Sequence, residues 1–241
     1  MLCSSTWSDR FVMFVRACRK GQVMLVAAAV LAAAPAAIAA APEALAAAPS
    51  ALKLEELLAR FAGMSGLQAS FREEKRMALL AAPLVNEGVI YFVPNGGSPR
   101  LARHTTAPAP SVVIIDGASL RVADGSGREE IALDRNPPVR LFVDSFVKIF
   151  AGDRAALASM YAMELATEGP RWTLRLRPRV SPIDKLVERV EIAGEGVVIA
   201  SMRVVEVGGD ETVTTFSSVD TARRFSAEES AALFSLPPAR R

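Results

Sequence analysis

From Leu67 onward the chain is cut into strand-length segments by turn residues at short intervals, and one long greasy stretch breaks that texture. Residues 85–93 are β-rich and end at Pro94, and Asn95-Gly96-Gly97-Ser98 reads as a turn. Residues 111–115 form a further strand, Asp116-Gly117 turns the chain into 120–123, and 124–127 turns it again before 131–133. Strands resume after Gly169-Pro170. There Trp172, Leu174 and Leu176 share one face while Thr173, Arg175 and Arg177 share the other. Residues 186–192, 197–207 and 212–218 continue the series, separated by Gly194-Glu195-Gly196 and Gly208-Gly209-Asp210. Short segments joined by tight turns can only pair antiparallel, so the predicted fold is built on a meander.

Helices frame this sheet. Leu54, Leu57, Leu58 and Phe61 recur at i, i+3, i+4 and i+7, and Gly63 and Gly66 mark the end of that helix. After Pro137-Pro138, the positions Val139, Phe142, Val143, Phe146, Val147 and Phe150 follow helical spacing, and Leu141 and Ile149 widen the stripe. Only Arg140, Asp144 and Lys148 form a polar strip. A helix apolar over more than half its circumference expects contact on two sides. A deeply buried core helix would show the same pattern. Near the end, Ser226 with Glu229 makes a capping-box start for a short helix. The expected class is therefore α+β: a curled antiparallel sheet, an open and incomplete β-barrel, with helices covering its concave face.

The first forty residues read as an export leader. Arg10, Arg16, Arg19 and Lys20 precede an uncharged apolar run from Val23, and Ala37-Ile38-Ala39 offers an A-x-A cleavage pattern. An uncleaved anchor is the alternative, since no charge interrupts residues 23–42, but that run is mostly alanine and carries Pro35. Cys18 is no lipidation site, because Val15-Arg16-Ala17 places a charge where an apolar residue is needed. Residues 41–50 read as an alanine-rich linker, and 51–241 as a single domain. Cleavage near Ala40 removes four basic residues and one acidic residue, leaving 24 basic against 25 acidic. A near-neutral mature chain gives no reason to expect nucleic acid as a partner. Both cysteines, Cys3 and Cys18, leave with the leader, so the exported domain relies on its core without disulfides.

The chemistry of catalysis is sparse. His104 is the single histidine and lies in a strand among Arg103, Thr105 and Thr106, where a packed or surface role is expected. No Ser occupies a G-x-S-x-G elbow, and Gly125-Ser126-Gly127 lacks the setting of a dinucleotide fingerprint. Glu73-Glu74 and Glu129-Glu130 are adjacent on strands and so point to opposite faces, unlike a glycosidase pair. Neither a metal nor another cofactor is expected. A binding protein is favoured over an enzyme.

Four segments carry a resemblance. Gln68-Ala69-Ser70-Phe71-Arg72-Glu73-Glu74, Gly88-Val89-Ile90-Tyr91-Phe92-Val93-Pro94, Val112 to Leu120 with its Asp116-Gly117 turn, and Trp172-Thr173-Leu174-Arg175-Leu176-Arg177-Pro178 together resemble the LolA-type periplasmic lipoprotein carriers. The chain departs from that pattern in three places. Phe92 and Val93 stand where the family has a lid-facing arginine, Arg103-His104 replaces an Arg-Trp pair, and the turn at 95–98 is longer. 

 The resemblance implies a monomeric periplasmic carrier that works without a cofactor. Its cargo would be an acylated lipoprotein or another lipid, its donor an inner-membrane exporter and its acceptor an outer-membrane site.

Acyl chains offer no hydrogen bonds, so a carrier of this kind needs an apolar lining. Ile90, Phe92, Val113, Ile115, Leu120, Trp172, Leu174 and Leu176 are the candidate cavity walls, and Phe142, Phe146, Ile149 and Phe150 the candidate lid contacts. Taken singly, each is better read as plain core, because strand alternation and helix stripes produce the same pattern in any core. Two other readings stay open: a periplasmic sensor or interaction module on the same scaffold, and an enzyme assembled from distant segments. The leader is open to direct measurement. Protein recovered from the periplasm is expected to begin close to Ala40, and N-terminal sequencing checks this; a retained residue 1–40 segment would establish the anchor instead.

Overall fold

A computed structural model describes residues 52–94 and 98–237, apart from the side chains of Pro138 and Phe142. The leader and the linker lie outside the described residues. Two strand series form one sheet. The first comprises β1 (Leu67–Arg76), β2 (Leu84–Val93), β3 (Arg100–Ala107), β4 (Ser111–Asp116), β5 (Ser119–Asp124) and β6 (Gly127–Ala132). The second comprises β7 (Tyr161–Glu168), β8 (Arg171–Pro178), β9 (Val187–Glu195), β10 (Val198–Glu206) and β11 (Glu211–Asp220). Their order across the sheet is β6-β5-β4-β3-β2-β1-β11-β10-β9-β8-β7, and every neighbouring pair is antiparallel. The first and last strands meet at the centre, and the two edge strands, β6 and β7, are consecutive in sequence. The sheet is curled and does not close.

The connection between those edges carries the cover. A single 3-10 turn (Leu133–Arg135) leads into α2 (Pro137–Phe150), then α3 (Arg154–Met160), which runs directly into β7. Helix α1 (Leu54–Ala62) precedes β1. Leu57, Leu58 and Phe61 of α1, Val139, Val143, Val147, Ile149 and Phe150 of α2, and Leu157 and Met160 of α3 are buried together against the inner face of the sheet. The periodic stripe expected of 139–150 is thus the buried face of α2. Along its solvent side Arg140 pairs with Asp134 and, at 3.5 Å, with Asp144.

Strand alternation sorts the two sheet faces. In β1 the residues Leu67, Ala69, Phe71, Glu73 and Lys75 are all buried on the inner face, while Arg72 and Arg76 face out. Phe71 lies opposite Gly88 of β2, and this glycine is required by space. A Cβ there would fall 2.0 Å from the His104 carbonyl oxygen and 2.9 Å from the Phe71 ring. The glycine-led strand legible in the sequence is therefore a site of close strand approach.

The C-terminal segment differs from the expectation that the helices cover the concave face. Helix α4 (Ala227–Leu233) lies on the outer face, where Phe234, Leu233 and Leu236 pack on Ala102, Ile114, Tyr91, Val93 and Val112. Its capping box is formed as the sequence predicts: the Glu229 N–H donates to Ser226 Oγ at 3.0 Å, and the Ser226 N–H to Glu229 Oε2 at 2.9 Å. The outer faces of β2 to β4 are apolar enough to need a cover of their own. Strand β7 and helix α3 were not legible in the sequence, because the helix runs directly into the strand with no Gly or Pro between them.

Gly88→Ala is expected to destabilise the domain by about 1–3 kcal/mol, as overpacking does. Urea denaturation checks this; an unchanged midpoint would mean that the strands separate without cost.

Candidate functional site

A cavity of about 80 Å³ lies between α2 and the middle of the inner face. Val143, Phe146 and Phe150 of α2 form its roof. Phe71, Ile90, Leu101, Val113, Ile115, Met202 and Phe216 supply apolar floor from five strands and one more, β10, at the far side. Cross-strand register explains the assembly: Ile90 stands beside Arg103, and Arg103 beside Val113. Leu101 lies between Phe92 and Ile115, one step along the same face.

The candidate residues divide. Ile90, Val113, Ile115, Phe146 and Phe150 line the cavity. Phe92, Leu120, Trp172, Leu174, Leu176 and Ile149 are buried in the surrounding core and do not line it. Phe92 backs the roof through Phe150, the ring centroids 6.0 Å apart. Trp172 meets Phe61 of α1 edge-on at 5.6 Å and donates from Nε1 to the Gly196 carbonyl at 3.1 Å. It pins α1 to the second strand series. The side chain of Phe142 lies outside the described part.

Sequence reading missed the polar floor. Glu73, Arg103 and Thr214 also line the cavity. Glu73 Oε1 accepts from Asn86 Nδ2 at 3.1 Å and from Arg103 Nη2 at 3.0 Å. The Arg103 guanidinium lies 4.3 Å from the Phe71 ring centroid, a cation–π contact on the ring that Gly88 makes room for. Further along the same face Lys75, wholly buried, pairs with Glu206. The lining is thus mainly apolar with a few polar side chains among it, as expected of a lining with few polar partners. The signal was present in the alternation of β1, which puts Glu73 and Lys75 in phase with Phe71.

Helix α2 has defined anchors at its C-terminal end. Gly152 has φ +62° and follows α2; a Cβ on it would fall 2.1 Å from the Leu58 carbonyl oxygen. The Asp153 N–H reaches back to the Lys148 carbonyl at 3.1 Å, and the Asp153 carboxylate caps α3 by accepting from the Ala156 N–H at 3.1 Å. Lys148 Nζ donates to the same carboxylate at 2.9 Å. The Lys148 hydrogen bond, followed by that from Ala156, holds the Asp153 carboxyl below the usual carboxylate range. A hydrogen bond between Ser145 and Tyr161 joins α2 to the start of β7. Burial pushes the Tyr161 hydroxyl up, and the Ser145 contact opposes that shift.

His104 is placed on the outer face, where its Nε2 lies 2.9 Å from the Leu233 carbonyl oxygen. It secures α4 and is remote from the cavity lining. Among the described residues no group of His, Cys, Asp and Glu is arranged to hold a metal ion. A second hollow, about 530 Å³, opens at the turn ends of β7 to β10 and is edged by Thr167, Glu168, Arg171 and Glu195. It lies away from α2.

A curled, unclosed antiparallel sheet with a helical cover over an inner chamber defines the class of the domain. The chain belongs to the family described as outer membrane lipoprotein carrier protein LolA-like, whose profile matches residues 46–236. Among curated proteins no relative matches the chain by sequence. Its fold is similar to MucB of Pseudomonas aeruginosa in the MucA/MucB complex, at 17% identity over 73% of this chain and 59% of that one, with a TM-score of 0.47. The chain thus spans about three fifths of the length of MucB. It is also similar to a LolA superfamily protein from Nitrosomonas europaea (10% identity, 74% of this chain, 97% of that one, TM-score 0.41). A third is the Mycobacterium tuberculosis lipoprotein LppX (10% identity, 70% and 97%, TM-score 0.38).

The Asp153 clip has a pH signature. Its carboxyl is lowered in the folded state, so its contribution is complete above the ordinary value of 3.8 and is lost as pH falls through the folded one. Asp153→Asn is therefore expected to cost about 0.5–1 kcal/mol at neutral pH, allowing for solvent screening, and much less near pH ~2. Urea midpoints at the two pH values check this; an equal cost at both would remove the charge from the argument.

Proposed function

We propose that this protein is a periplasmic carrier that holds acyl chains of a lipoprotein or related lipid beneath α2 and delivers them toward the outer membrane. One observation carries the reading: the apolar chamber lies between the sheet and the one helical connection that could swing away from it. Membership of the LolA-like carrier family and the leader-like first forty residues support an exported carrier. The walls of the proposed site are Ile90, Val113 and Ile115, and its lid contacts are Phe146 and Phe150.

The chamber must enlarge to work. Small-ligand sites run to roughly 300–1,000 Å³, well above the 80 Å³ enclosed here. Displacing α2 is the available route, because its cover is made of side chains alone while its ends are fixed by chain connectivity. Phe146 is half-buried and lines the chamber, so it is the residue that an incoming chain meets. A carboxylate at that position would be desolvated by bound hydrocarbon.

Native mass spectrometry with lipid extraction, on protein purified from the periplasm, tests the proposal. Acyl species are expected to co-purify and to fall by about tenfold in Phe146→Asp. A second reading, an interaction module, draws on the tip of the β1–β2 hairpin, where Leu79 is 91% exposed and Leu80 43%. Such an exposed aliphatic tip suits contact with another surface. Clean apo protein, with ligand content unchanged by Phe146→Asp, would favour that module over the carrier.

A further inference from the structure

Among the described residues four large apolar side chains stand exposed, and three of them share one end of the sheet. Leu79 and Leu80 belong to the β1–β2 hairpin, and Val207, 56% exposed, to the β10–β11 turn. Register brings these connections together. Lys75 pairs with Leu84 at the base of the hairpin, and Arg76 pairs with Glu211 at the base of the β10–β11 turn. The fourth, Val198, lies at the opposite end, where it pairs with Glu195 across the β9–β10 turn.

The hairpin tip has a defined form. The Leu80 N–H donates to the Met77 carbonyl at 3.0 Å, and Leu79 stands in that turn with its side chain in solvent. No charged residue occurs from Met77 to Asn86. The adjoining β3–β4 turn is similar: Pro108, Ala109 and Pro110 are exposed, and no charged residue occurs from Thr105 to Ile115. Cations stand one step back. The Arg76 side chain is 71% exposed and lies 3.9 Å from Glu74, and Arg177 and Arg179 are exposed where β8 reaches the same end. Of the acids there, Glu206 is met by Lys75, Glu211 by Arg203 and Asp184 by Lys185, with Asp210 beside them. Arg177 and Arg179 enter none of these pairs, so basic groups are in excess.

A convex aliphatic tip gives a protein partner little to recognise. From Met77 to Leu84 there is no aromatic ring and no side chain that donates a hydrogen bond, the groups on which tight protein contacts mostly rest. A bilayer needs neither. Its acyl layer takes apolar side chains without a matched shape, and its phosphates suit basic side chains set behind them. We propose that this end of the sheet docks on a lipid bilayer, with Leu79 and Leu80 among the acyl chains and Arg76, Arg177 and Arg179 toward the lipid phosphates. The surface is separate from the chamber under α2, and it goes beyond the carrier reading without depending on it.

Flotation with vesicles of phosphatidylethanolamine and phosphatidylglycerol, on protein purified from the periplasm, tests this. Wild type is expected to float with the vesicles. Leu79→Asp/Leu80→Asp is expected to lower partitioning about tenfold or more, whereas Val198→Asp, at the opposite end, leaves it unchanged. Arg177→Gln/Arg179→Gln is expected to lower it several-fold on these vesicles and not on phosphatidylcholine. Depth is read directly with Leu79→Trp, whose added emission is expected to shift to the blue on binding and to be quenched by bromine-labelled acyl chains. Phe146→Asp is aimed at the chamber and is expected to leave flotation intact, so loss of acyl cargo and loss of docking are told apart. Wild type that stays in the soluble fraction, or flotation unmoved by the two aspartates, would overturn the proposal and leave the tip to a protein partner. A tryptophan at position 79 that stays unquenched on floating protein would overturn the insertion as well.

Discussion

An open sheet with an apolar inner face cannot stand bare in water, and here the cover has to come from the chain that joins its two edges. Strands β1 and β11 pair at the centre, so each half of the sheet grows outward until β6 and β7 are left at opposite margins. They are consecutive in sequence. The segment between them must therefore travel from one margin to the other, and α2 and α3 are what it carries. Hydrophobic burial decides the path: Val139, Val143, Val147, Ile149 and Phe150 are removed from water only if α2 lies across the inner face. Because the cover is a connection and not a strand, it can shift without breaking a single sheet hydrogen bond. The fold thus separates a hydrogen-bonded frame from a cover held by side-chain packing.

The polar floor has the opposite character. A buried ion pair gives little net stability over a well-packed apolar substitute, yet removing one partner is costly. Glu73, Asn86 and Arg103 therefore stand as a unit, and the unit depends on Gly88. Without a side chain there, β2 approaches β3 closely, and the Phe71 ring lies where Arg103 can rest on it. One glycine thus links strand spacing to the electrostatics of the chamber.

Much of the frame was legible because it depends on local rules. Turn residues separated the strands, the stripe from Val139 to Phe150 located α2, and Ser226 with Glu229 located the start of α4. The adjacent carboxylates Glu73 and Glu74 do point to opposite faces, as alternation requires. What was hidden depends on contacts distant in sequence. Glu73 meets Arg103 thirty positions away, and no local pattern marks a charge that will be buried and matched. Trp172, Leu174 and Leu176 were candidate walls that could equally be core, because strand alternation marks a buried face without telling a filled core from a hollow one. They fill the core. The side of the sheet that receives α4 was not legible, since its short apolar pattern carries no information about it.

The outer position of α4 has a consequence for the wall. The carbonyl groups at a helix end lack partners within the helix and must find them elsewhere. Here His104 bonds the Leu233 carbonyl and Arg121 Nη2 donates to the Phe234 carbonyl at 3.1 Å, while Arg100 Nη2 donates to Ser230 Oγ at 2.5 Å. Arg100 also lies 4.6 Å from the Phe234 ring centroid. These residues come from β3 and β5, in the same half of the sheet whose inner face forms the chamber wall. The clasp ties those strands together from behind, by contacts that do not involve α2. The wall is thus braced from its outer face, independently of the helix that covers the inner one.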